Sequence, residues 1–347
     1  MSEQIEGTQQ EFEPIITPQN EWELGIDPSK RLNVKPIFEA IDDIKGEIGK
    51  VLIGQEHTIE MLMSALLTGG HVLLEGVPGI AKTLTAKLMS KTIDSEFSRI
   101  QFTPDLMPTD VSGTSVFNVK ESSFYFRKGP IFSNIILIDE INRAPAKTQA
   151  SLMEVMEEKQ LTYDGVTYPM SYPFFVIATQ NPIEQEGTYA LPEAQLDRFV
   201  FRLKLKLPTL EQELAILEKF HGDFDAKSTA TVEKKVSPQK LAEFKSIIEK
   251  VYIRPELLRY IAMVIDNTRN NGDLHLGASP RASLALVKTA KALATIRGRD
   301  FVTPDDIRSV SVPVLNHRLI LSHEREMEGA TIDEVIDSII TNIEIPR

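Results

Sequence analysis

The octapeptide GVPGIAKT occupies residues 76–83. It follows the pattern G-x-x-x-x-G-K-[ST] of phosphate-binding loops except at one position, where Ala81 replaces the second glycine. In such loops backbone N–H groups surround the phosphates, the lysine contacts the β- and γ-phosphates, and the hydroxyl binds Mg²⁺. The pattern is meaningful only between a buried strand and the start of a helix. Whether this stretch binds a phosphate therefore depends on the residues around it.

The neighbouring segments provide that context. HVLLE at residues 71–75 is an apolar run that ends where the loop begins, and LTAKLMS after the loop has helical character. We expect Ala81 to adopt helical backbone angles as the helix starts, while the two glycines keep the backbone freedom that the loop needs. The order of strand, loop and helix favours a phosphate site with Lys82 and Thr83. The alternative is a tight turn at GVPG with a solvated Lys82.

The pattern of apolar runs predicts an α/β core. Five short apolar segments are separated by helical or irregular stretches: HVLLE (71–75), SRIQF (98–102), NIILID (134–139), FFVIAT (174–179) and FVFRLKLKL (199–207). Continuous apolar runs of this length are typical of strands that are buried on both faces. The prediction is a parallel five-stranded sheet covered by helices.

The second half of the chain predicts helices only. After Pro208 the sequence repeats helix-start signals, namely Thr209 with Gln212, Ser237 before Pro238, Thr303 with Asp306, and Thr331 with Glu334. We therefore divide the chain into an α/β nucleotide-binding domain at 34–208 and an all-helical lid domain at 209–347. Residues 1–33 carry seven acidic residues before the first basic one, Lys30, and are expected to form a mobile acidic leader.

Composition narrows the classes of function. The 347 residues include no cysteine, carry a formal net charge of −12 and contain no apolar run near the roughly 20 residues of a membrane helix. The first residues, MSEQIEGTQQ, have neither the basic start nor the apolar run that is typical of a secretory signal. We expect a cytoplasmic protein without membrane insertion, and the acidic balance makes nucleic acid an unfavourable partner. The six histidines show no metal-ligand spacing, so only Mg²⁺ is expected.

A pair of carboxylates supports the phosphate site. Asp139 and Glu140 follow the apolar run IILI, which places them at the carboxyl end of a buried strand, where ligands bind in open α/β sheets. Asp139 is expected to hold Mg²⁺ and Glu140 to polarise the attacking water. Alone, such a pair is commonly a solvated loop. Together with the phosphate loop, it predicts hydrolysis of ATP.

Four motifs together resemble the MoxR family of AAA+ ATPases: GVPGIAKT, IILIDEINRAP, FFVIATQNPIEQEGTYALPEAQLDRF and GASPRA. The alanine before the lysine is similar to that family's usual form, and the resemblance covers about residues 34–347. It implies an AAA+ core with a helical lid, and a homo-oligomeric ring, expected to be a hexamer. It also implies a chaperone-like motor that remodels a protein client or assists its maturation or cofactor insertion, with partners that contain von Willebrand factor A domains.

The resemblance also assigns roles to single residues. Asn181 matches sensor 1, Arg281 matches sensor 2 in the lid, and Arg198 matches the arginine finger that reaches a neighbouring subunit. Gly54 and Gln55 match the segment that lines the adenine pocket. The predicted catalytic residues are Lys82, Glu140, Asn181, Arg198 and Arg281. The predicted nucleotide-binding residues are Gly54, Gln55, Gly76, Val77, Pro78, Gly79, Ile80, Ala81, Lys82, Thr83, Leu84 and Arg281, and the predicted Mg²⁺ ligands are Thr83 and Asp139.

Structural alternatives exist for three of these residues. Asn181 could cap a turn before Pro182, and Arg281 could be a plain surface residue, although the helix dipole disfavours a cation in a first turn. Arg198 could be a helix-end arginine that the dipole favours anyway.

Two insertions are also similar to those of the family. Residues 103–132 match an insertion in the second helix region, and QLTYDGVTYPM at 160–170 alternates around Asp164 and Gly165 as a hairpin does. Such hairpins project toward the centre of the ring in related proteins. Four aromatic side chains in the first insertion could either pack on a sheet or grip a substrate: Phe117, Phe124, Tyr125 and Phe126.

Two other classes of function stay open. The chain could be a nucleotide-gated assembly scaffold with little turnover, or a motor directed to nucleic acid. Glu140 and Arg198 argue against the scaffold. The net charge of −12 argues against the nucleic-acid motor.

Overall fold

The computed structural model describes residues 31–182, 187–221 and 232–344. Most of the predicted acidic leader, residues 1–30, lies outside the described residues. Its last residues were assigned wrongly, because Arg31 Nε donates to Asp300 Oδ2 at 2.7 Å and the Leu32 N–H donates to the same oxygen at 3.0 Å. The folded part of the chain therefore includes Arg31 and Leu32, which contact Asp300 of the lid.

The strands of the described residues are β1 (Val72–Glu75), β2 (Phe97–Gln101), β3 (Gly113–Asn118), β4 (Ser123–Lys128), β5 (Ile135–Asp139), β6 (Gln160–Tyr163), β7 (Val166–Pro169), β8 (Phe175–Gln180), β9 (Phe201–Lys204), β10 (Leu274–Leu276) and β11 (Ile320–Leu321). Five of them form one sheet in the order β2-β5-β8-β1-β9, and every pairing in it is parallel. This confirms the predicted sheet, with strand bounds that differ from the predicted ones by at most three residues.

The helices of the described residues are α1 (Lys35–Gly49), α2 (Glu56–Thr68), α3 (Lys82–Thr92), α4 (Pro108–Ser112), α5 (Ala146–Glu158), α6 (Glu193–Leu196), α7 (Leu210–Phe220), α8 (Pro238–Glu249), α9 (Pro255–Arg269), α10 (Pro280–Ile296), α11 (Pro304–Leu315), α12 (His323–Met327) and α13 (Ile332–Asn342). The start signals read from the sequence are confirmed. Thr209, Thr303 and Thr331 each begin a helix with a reciprocal capping box, and the Ser237 side chain accepts from the backbone of α8.

Both faces of the sheet are covered. In β1 the side chain of Leu73 belongs to an apolar cluster with α5, while its neighbour Leu74 belongs to a second cluster with α2 and α3. The second cluster continues without interruption into the lid, where it includes Leu286 of α10. The Ser64 hydroxyl of α2 also donates to the Thr289 carbonyl of α10 at 3.2 Å. Core and lid therefore share one hydrophobic interior, which holds the lid in place against the sheet.

The lid is helical, as predicted, but it also contains a short strand pair. β10 and β11 pair antiparallel, with Leu274 opposite Leu321 and Leu276 opposite Ile320. Runs of two or three residues are too short to show an alternating pattern, so the sequence does not signal them. The pair joins the segment before α10 to the segment after α11.

The two insertions form hairpins that pack on each other. Residues 160–170 form β6 and β7 around Asp164 and Gly165, whose φ angles are 48° and 76°, as the sequence predicted. Strands β3 and β4 form the second hairpin. Its Phe126 ring lies 4.8 Å from the rings of Tyr163 and Tyr168. Phe126 therefore packs between the hairpins.

The other aromatic side chains of the β3–β4 hairpin are exposed. Phe117 and Phe124 form a pair with ring centroids 5.1 Å apart, and Phe124 is 72% exposed. Tyr125 is exposed as well. Phe117 and Phe124 therefore form an apolar surface on one face of the hairpin, and Tyr125 lies on the other face, so packing between the hairpins explains only Phe126 among the four aromatics.

A buried carboxylate stabilises the start of α11. Asp306 is fully buried and accepts from Arg299 through both of its oxygens at 2.6 Å. The backbone N–H and the hydroxyl of Thr303 also donate to Asp306, each at 2.9 Å. A buried ion pair of this kind is costly to break, because the remaining partner loses its counter-charge.

Asp306→Ala should therefore lower the free energy of unfolding by about 3 to 5 kcal/mol. Urea denaturation followed by circular dichroism measures this loss. The matched control is Asp305→Ala, which removes an exposed carboxylate from the same helical turn and should cost no more than ~1 kcal/mol. Equal shifts of the two unfolding midpoints would contradict the structural role of Asp306.

Candidate active site

The carboxyl ends of the parallel strands surround a cavity of about 380 Å³. The described residues that line it are Pro78, Gly79, Ile80, Ala81, Lys82, Thr83, Leu84, Arg99, Gln101, Asp139, Glu140, Thr179 and Asn181. The structure therefore brings most of the predicted loop together with both predicted carboxylates and the predicted sensor. Gly76 and Val77 precede these residues in the loop between β1 and α3. The N-terminus of α3 begins at this cavity, which is a favourable place for an anion.

Ala81 differs from the sequence expectation. It has φ 66° and ψ 21°, which is the left-handed region, and it is the N-cap of α3. The expectation of helical angles at this position was therefore wrong. The left-handed conformation costs an L-residue roughly 1 to 2 kcal/mol, and glycine avoids this cost. The alanine thus occupies a position where the general loop pattern has glycine for a conformational reason.

The lysine and the threonine of the loop both contact groups of the site. The Lys82 ammonium donates to the backbone carbonyl of Gly76 and to that of Val77, the latter at 3.3 Å. The Thr83 hydroxyl donates to Asp139 Oδ1 at 3.2 Å. The phosphate loop and the acidic strand end are therefore in direct contact.

Asp139 is a buried carboxylate with three side-chain partners. Its Oδ1 also accepts from the Thr179 hydroxyl at 3.3 Å, and its Oδ2 accepts from Arg99 Nε at 2.6 Å. Mg²⁺ prefers oxygen ligands and is commonly held by one or two protein groups together with phosphates. The adjacent oxygens of Thr83 and Asp139 fit such an ion, so these two residues would hold it.

Glu140 is the second carboxylate of the pair and has an unusual backbone. Its φ is 57°, and its N–H donates to the Thr179 hydroxyl at 3.0 Å. Its Oε2 accepts from Gln101 Nε2 at 2.8 Å and lies 3.0 Å from Arg143 Nε. A strained, well-held backbone at such a position is typical of functional sites.

Two residues of β2 enter the site although sequence reasoning did not select them. Arg99 contacts Asp139, and Gln101 contacts Glu140. The available signal was their spacing, because residues two apart in a strand point to the same face and only the intervening Ile100 is apolar. The parallel pairing of β2 with β5 places Gln101 opposite Asp139.

Asn181 follows β8 directly and is buried at the cavity. Its amide is thus at the site where the resemblance expected sensor 1. Gly54 and Gln55 lie at the start of α2 and are not among the described residues that line the cavity. Gly54 has φ 76°, a left-handed conformation that residues with a side chain rarely adopt. The backbone therefore favours glycine at this position, which lies next to α7 of the lid.

Arg198 and Arg281 lie together, away from the described lining of the cavity. Arg198 Nη1 donates to the Met153 carbonyl at 2.6 Å and lies 3.9 Å from Glu157. Arg281 Nη2 donates to Glu157 at 3.0 Å, and its Nη1 lies 3.7 Å from Asp197.

One carboxylate at the end of α5 therefore contacts both cations. The resemblance implies that Arg281 binds the nucleotide as sensor 2 of the lid. In the structure no lid residue is among the described residues that line the cavity, and Arg281 is next to the predicted finger. The reason is the packing of the lid, which brings the N-terminus of α10 to α5.

Arg99 pairs with Asp139, a proposed Mg²⁺ ligand, and therefore competes with the metal ion for this carboxylate. Arg99→Gln should lower the Mg²⁺ concentration needed for half-saturation of ADP binding by about fivefold, equivalent to roughly 1 kcal/mol of ion pairing. Titration of Mg²⁺ against a fluorescent ADP analogue measures this without relying on turnover. Arg259→Gln on the exposed face of α9 is the charge-matched control. An unchanged Mg²⁺ requirement in Arg99→Gln would contradict the competition.

Comparison with known proteins agrees with this arrangement. Residues 71–201 match the ATPase family associated with various cellular activities, and residues 266–339 match the AAA lid domain. The crystal structure of a candidate ATPase from Cytophaga hutchinsonii has a TM-score of 0.83 and 42% identity, and the match covers 94% of this chain and 100% of that chain.

Two relatives extend the likeness over most of the sequence. YeaC of Bacillus subtilis, an uncharacterised protein, is 42% identical over 86% of this chain and 92% of its own. The chaperone MoxR1 of Mycobacterium tuberculosis is 39% identical over 87% of this chain and 81% of its own. With the phosphate loop, the acidic pair and the helical lid in place, the chain belongs to the MoxR family of AAA+ ATPases.

Proposed function

We propose that the protein hydrolyses ATP to ADP and phosphate with Mg²⁺. The observation that carries this proposal is the convergence of Lys82, Thr83, Asp139, Glu140 and Asn181 at the ends of β1, β5 and β8. Phosphoryl transfer needs positioning and charge stabilisation more than covalent chemistry, and these residue types supply both.

Each residue has a separate task in this proposal. Lys82 binds the β- and γ-phosphates, and Thr83 and Asp139 hold the Mg²⁺, which neutralises developing charge. Glu140 is the group that orients and polarises the attacking water. The Gln101 amide donates to this carboxylate and orients it, while the bond from the Glu140 backbone N–H to the Thr179 hydroxyl holds the main chain. Asn181 provides an amide that contacts the γ-phosphate.

We propose that Arg198 and Arg281 act on the nucleotide of a neighbouring subunit. Both cations lie at the far end of α5, and the Arg281 side chain is 58% exposed. Glu157 holds them at a surface where a second copy of the chain could present a phosphate. Each chain would then complete its neighbour's site, which requires a homo-oligomeric ring and is consistent with the expected hexamer.

The work done by the ring is proposed to be the remodelling or maturation of a protein client, including cofactor insertion. The name of the relative MoxR1 as a chaperone supports this class of function. The exposed pair of Phe117 and Phe124 offers an apolar surface for such a client. A von Willebrand factor A domain protein is the proposed partner class, and a cytoplasmic location is proposed from the cysteine-free composition. Among the described residues, the helices fall short of the length and apolar content that membrane crossing requires.

Mixing two inactive variants tests whether the site is shared. Glu140→Gln should bind ATP without hydrolysing it, and Arg198→Ala should bind ATP while losing ~10³-fold or more in turnover. Their mixture should recover activity, because the first variant offers an intact finger and the second an intact catalytic carboxylate. Steady-state phosphate release over a range of mixing ratios measures this recovery.

Lys82→Ala distinguishes a loss of binding from a loss of hydrolysis, because this variant should no longer bind the nucleotide. Subunit exchange in the mixture is verified with fluorescently labelled chains. Wild-type turnover by Glu140→Gln would refute the catalytic assignment. No recovery in mixtures that do exchange subunits would show that Arg198 serves only its own chain.

A further inference from the structure

Arg318 is a buried arginine of the lid that the proposed chemistry does not use. It lies just after α11, and its side chain is 5% exposed. Burial lowers the pKa of its guanidinium, whereas the nearby Asp197 carboxylate raises it. A guanidinium keeps its charge under such conditions, because its pKa in water lies far above neutral pH. The fold therefore places a permanent cation at the junction between lid and core.

The partners of Arg318 are the residues around Arg198. Its Nε donates to Asp197 Oδ1 at 2.7 Å, and its Nη2 donates to the Asp197 carbonyl at 3.1 Å and to the Phe199 carbonyl at 2.8 Å. Its Nη1 donates to the Val200 carbonyl at 3.4 Å and to the Val314 carbonyl within the lid. One side chain thus binds the residue before Arg198 and the two residues after it.

Two residues next to Arg318 reinforce this contact. The buried His317 ring donates from Nε2 to the Phe199 carbonyl at 3.0 Å. Asn316 Nδ2 donates to the Arg202 carbonyl in β9 at 3.1 Å. Three consecutive lid residues therefore hold the chain on the C-terminal side of Arg198.

The same network reaches the second cation. Asp197 lies 2.7 Å from Arg318 and 3.7 Å from Arg281. The strand β11 begins two residues after Arg318, and it pairs with β10, which precedes α10 and Arg281. The lid residues around Arg318 are thus connected to both arginines that would be presented to a neighbour.

We propose that Arg318 is a positioning residue that orients Arg198, and Arg281 with it, toward the phosphate of the adjacent subunit. The inference rests on the proposed function, because it assumes that Arg198 acts between subunits. A displacement of the lid would carry the finger along, since Arg318 binds both. A lysine can replace it only in part, because an ammonium is a point charge and does not span a carboxylate and four carbonyls as a planar guanidinium does.

The variant Arg318→Gln should keep nucleotide affinity and lose about 100-fold in kcat, the loss typical of a catalytic group displaced by about 1 Å. Arg318→Lys should fall between Arg318→Gln and the wild type. A merely structural role would affect binding and folding as much as kcat, so a fluorescent ADP analogue and thermal unfolding are measured in parallel.

Mixing Arg318→Gln with Glu140→Gln decides where the defect lies. The Arg318→Gln subunit keeps its own Glu140, so a Glu140→Gln neighbour with an intact finger should restore its turnover. Recovery should equal that of the Arg198→Ala and Glu140→Gln mixture, which is run alongside. The matched control is Arg299→Gln, which removes a buried ion pair of the lid far in sequence from residues 197–200. Any kcat that Arg299→Gln loses through instability should show no such recovery.

The outcomes separate this inference from the proposed function. Recovery with Arg198→Ala but not with Arg318→Gln overturns the positioning role and leaves the shared site intact. Failure of both mixtures overturns the shared site and the positioning role together. A turnover of Arg318→Gln equal to that of the wild type also overturns the inference.

Discussion

The parallel pairing of five strands determines where every group of the site lies. Because the strands run in the same direction, their carboxyl ends meet at one edge, where the phosphate loop follows β1 and the acidic pair follows β5. Strand β8 lies between them and contributes Thr179, whose hydroxyl contacts both Asp139 and the backbone of Glu140. The outer strand β2 adds Arg99 and Gln101, which the register with β5 brings to the same edge. A shift of one residue in either pairing would turn these side chains to the other face of the sheet.

Helix α5 connects this edge of the sheet to the two arginines that are proposed to act on a neighbouring subunit. It begins six residues after Glu140 and ends near Glu157, which contacts both Arg198 and Arg281. Its 13 residues span about 20 Å at 1.5 Å per residue. Helix α5 therefore lies between Glu140, the proposed catalytic carboxylate, and the two arginines proposed to act on a neighbouring subunit. Arg318 of the lid binds Asp197 and Phe199 on either side of Arg198, so the position of Arg198 is physically linked to the position of the lid.

Sequence reasoning succeeded where function depends on local patterns. The strands, the helix starts and the convergence of Asp139 and Glu140 with the phosphate loop followed from short apolar runs, capping pairs and the direction of parallel strands.

Sequence reasoning failed where the position of a residue depends on contacts between distant parts of the chain. Arg99 lies 40 residues from Asp139, and Arg281 lies 124 residues from Glu157, so no local spacing reports these pairs. The left-handed angle of Ala81 was missed because alanine, unlike glycine, does not signal it. Arg318 offered one clue, since a charged residue within the apolar run VLNHRLIL suggests a buried cation with a specific partner.

The central claim is that the catalytic site is complete only between two copies of the chain. Turnover per subunit, measured across a wide range of protein concentration while sedimentation velocity reports the assembly state, tests this claim most directly. The account predicts that ATP hydrolysis per subunit is very low for the monomer and rises in step with the fraction of assembled chains. A constant turnover per subunit, maintained at concentrations where the chain sediments as a monomer, would contradict it.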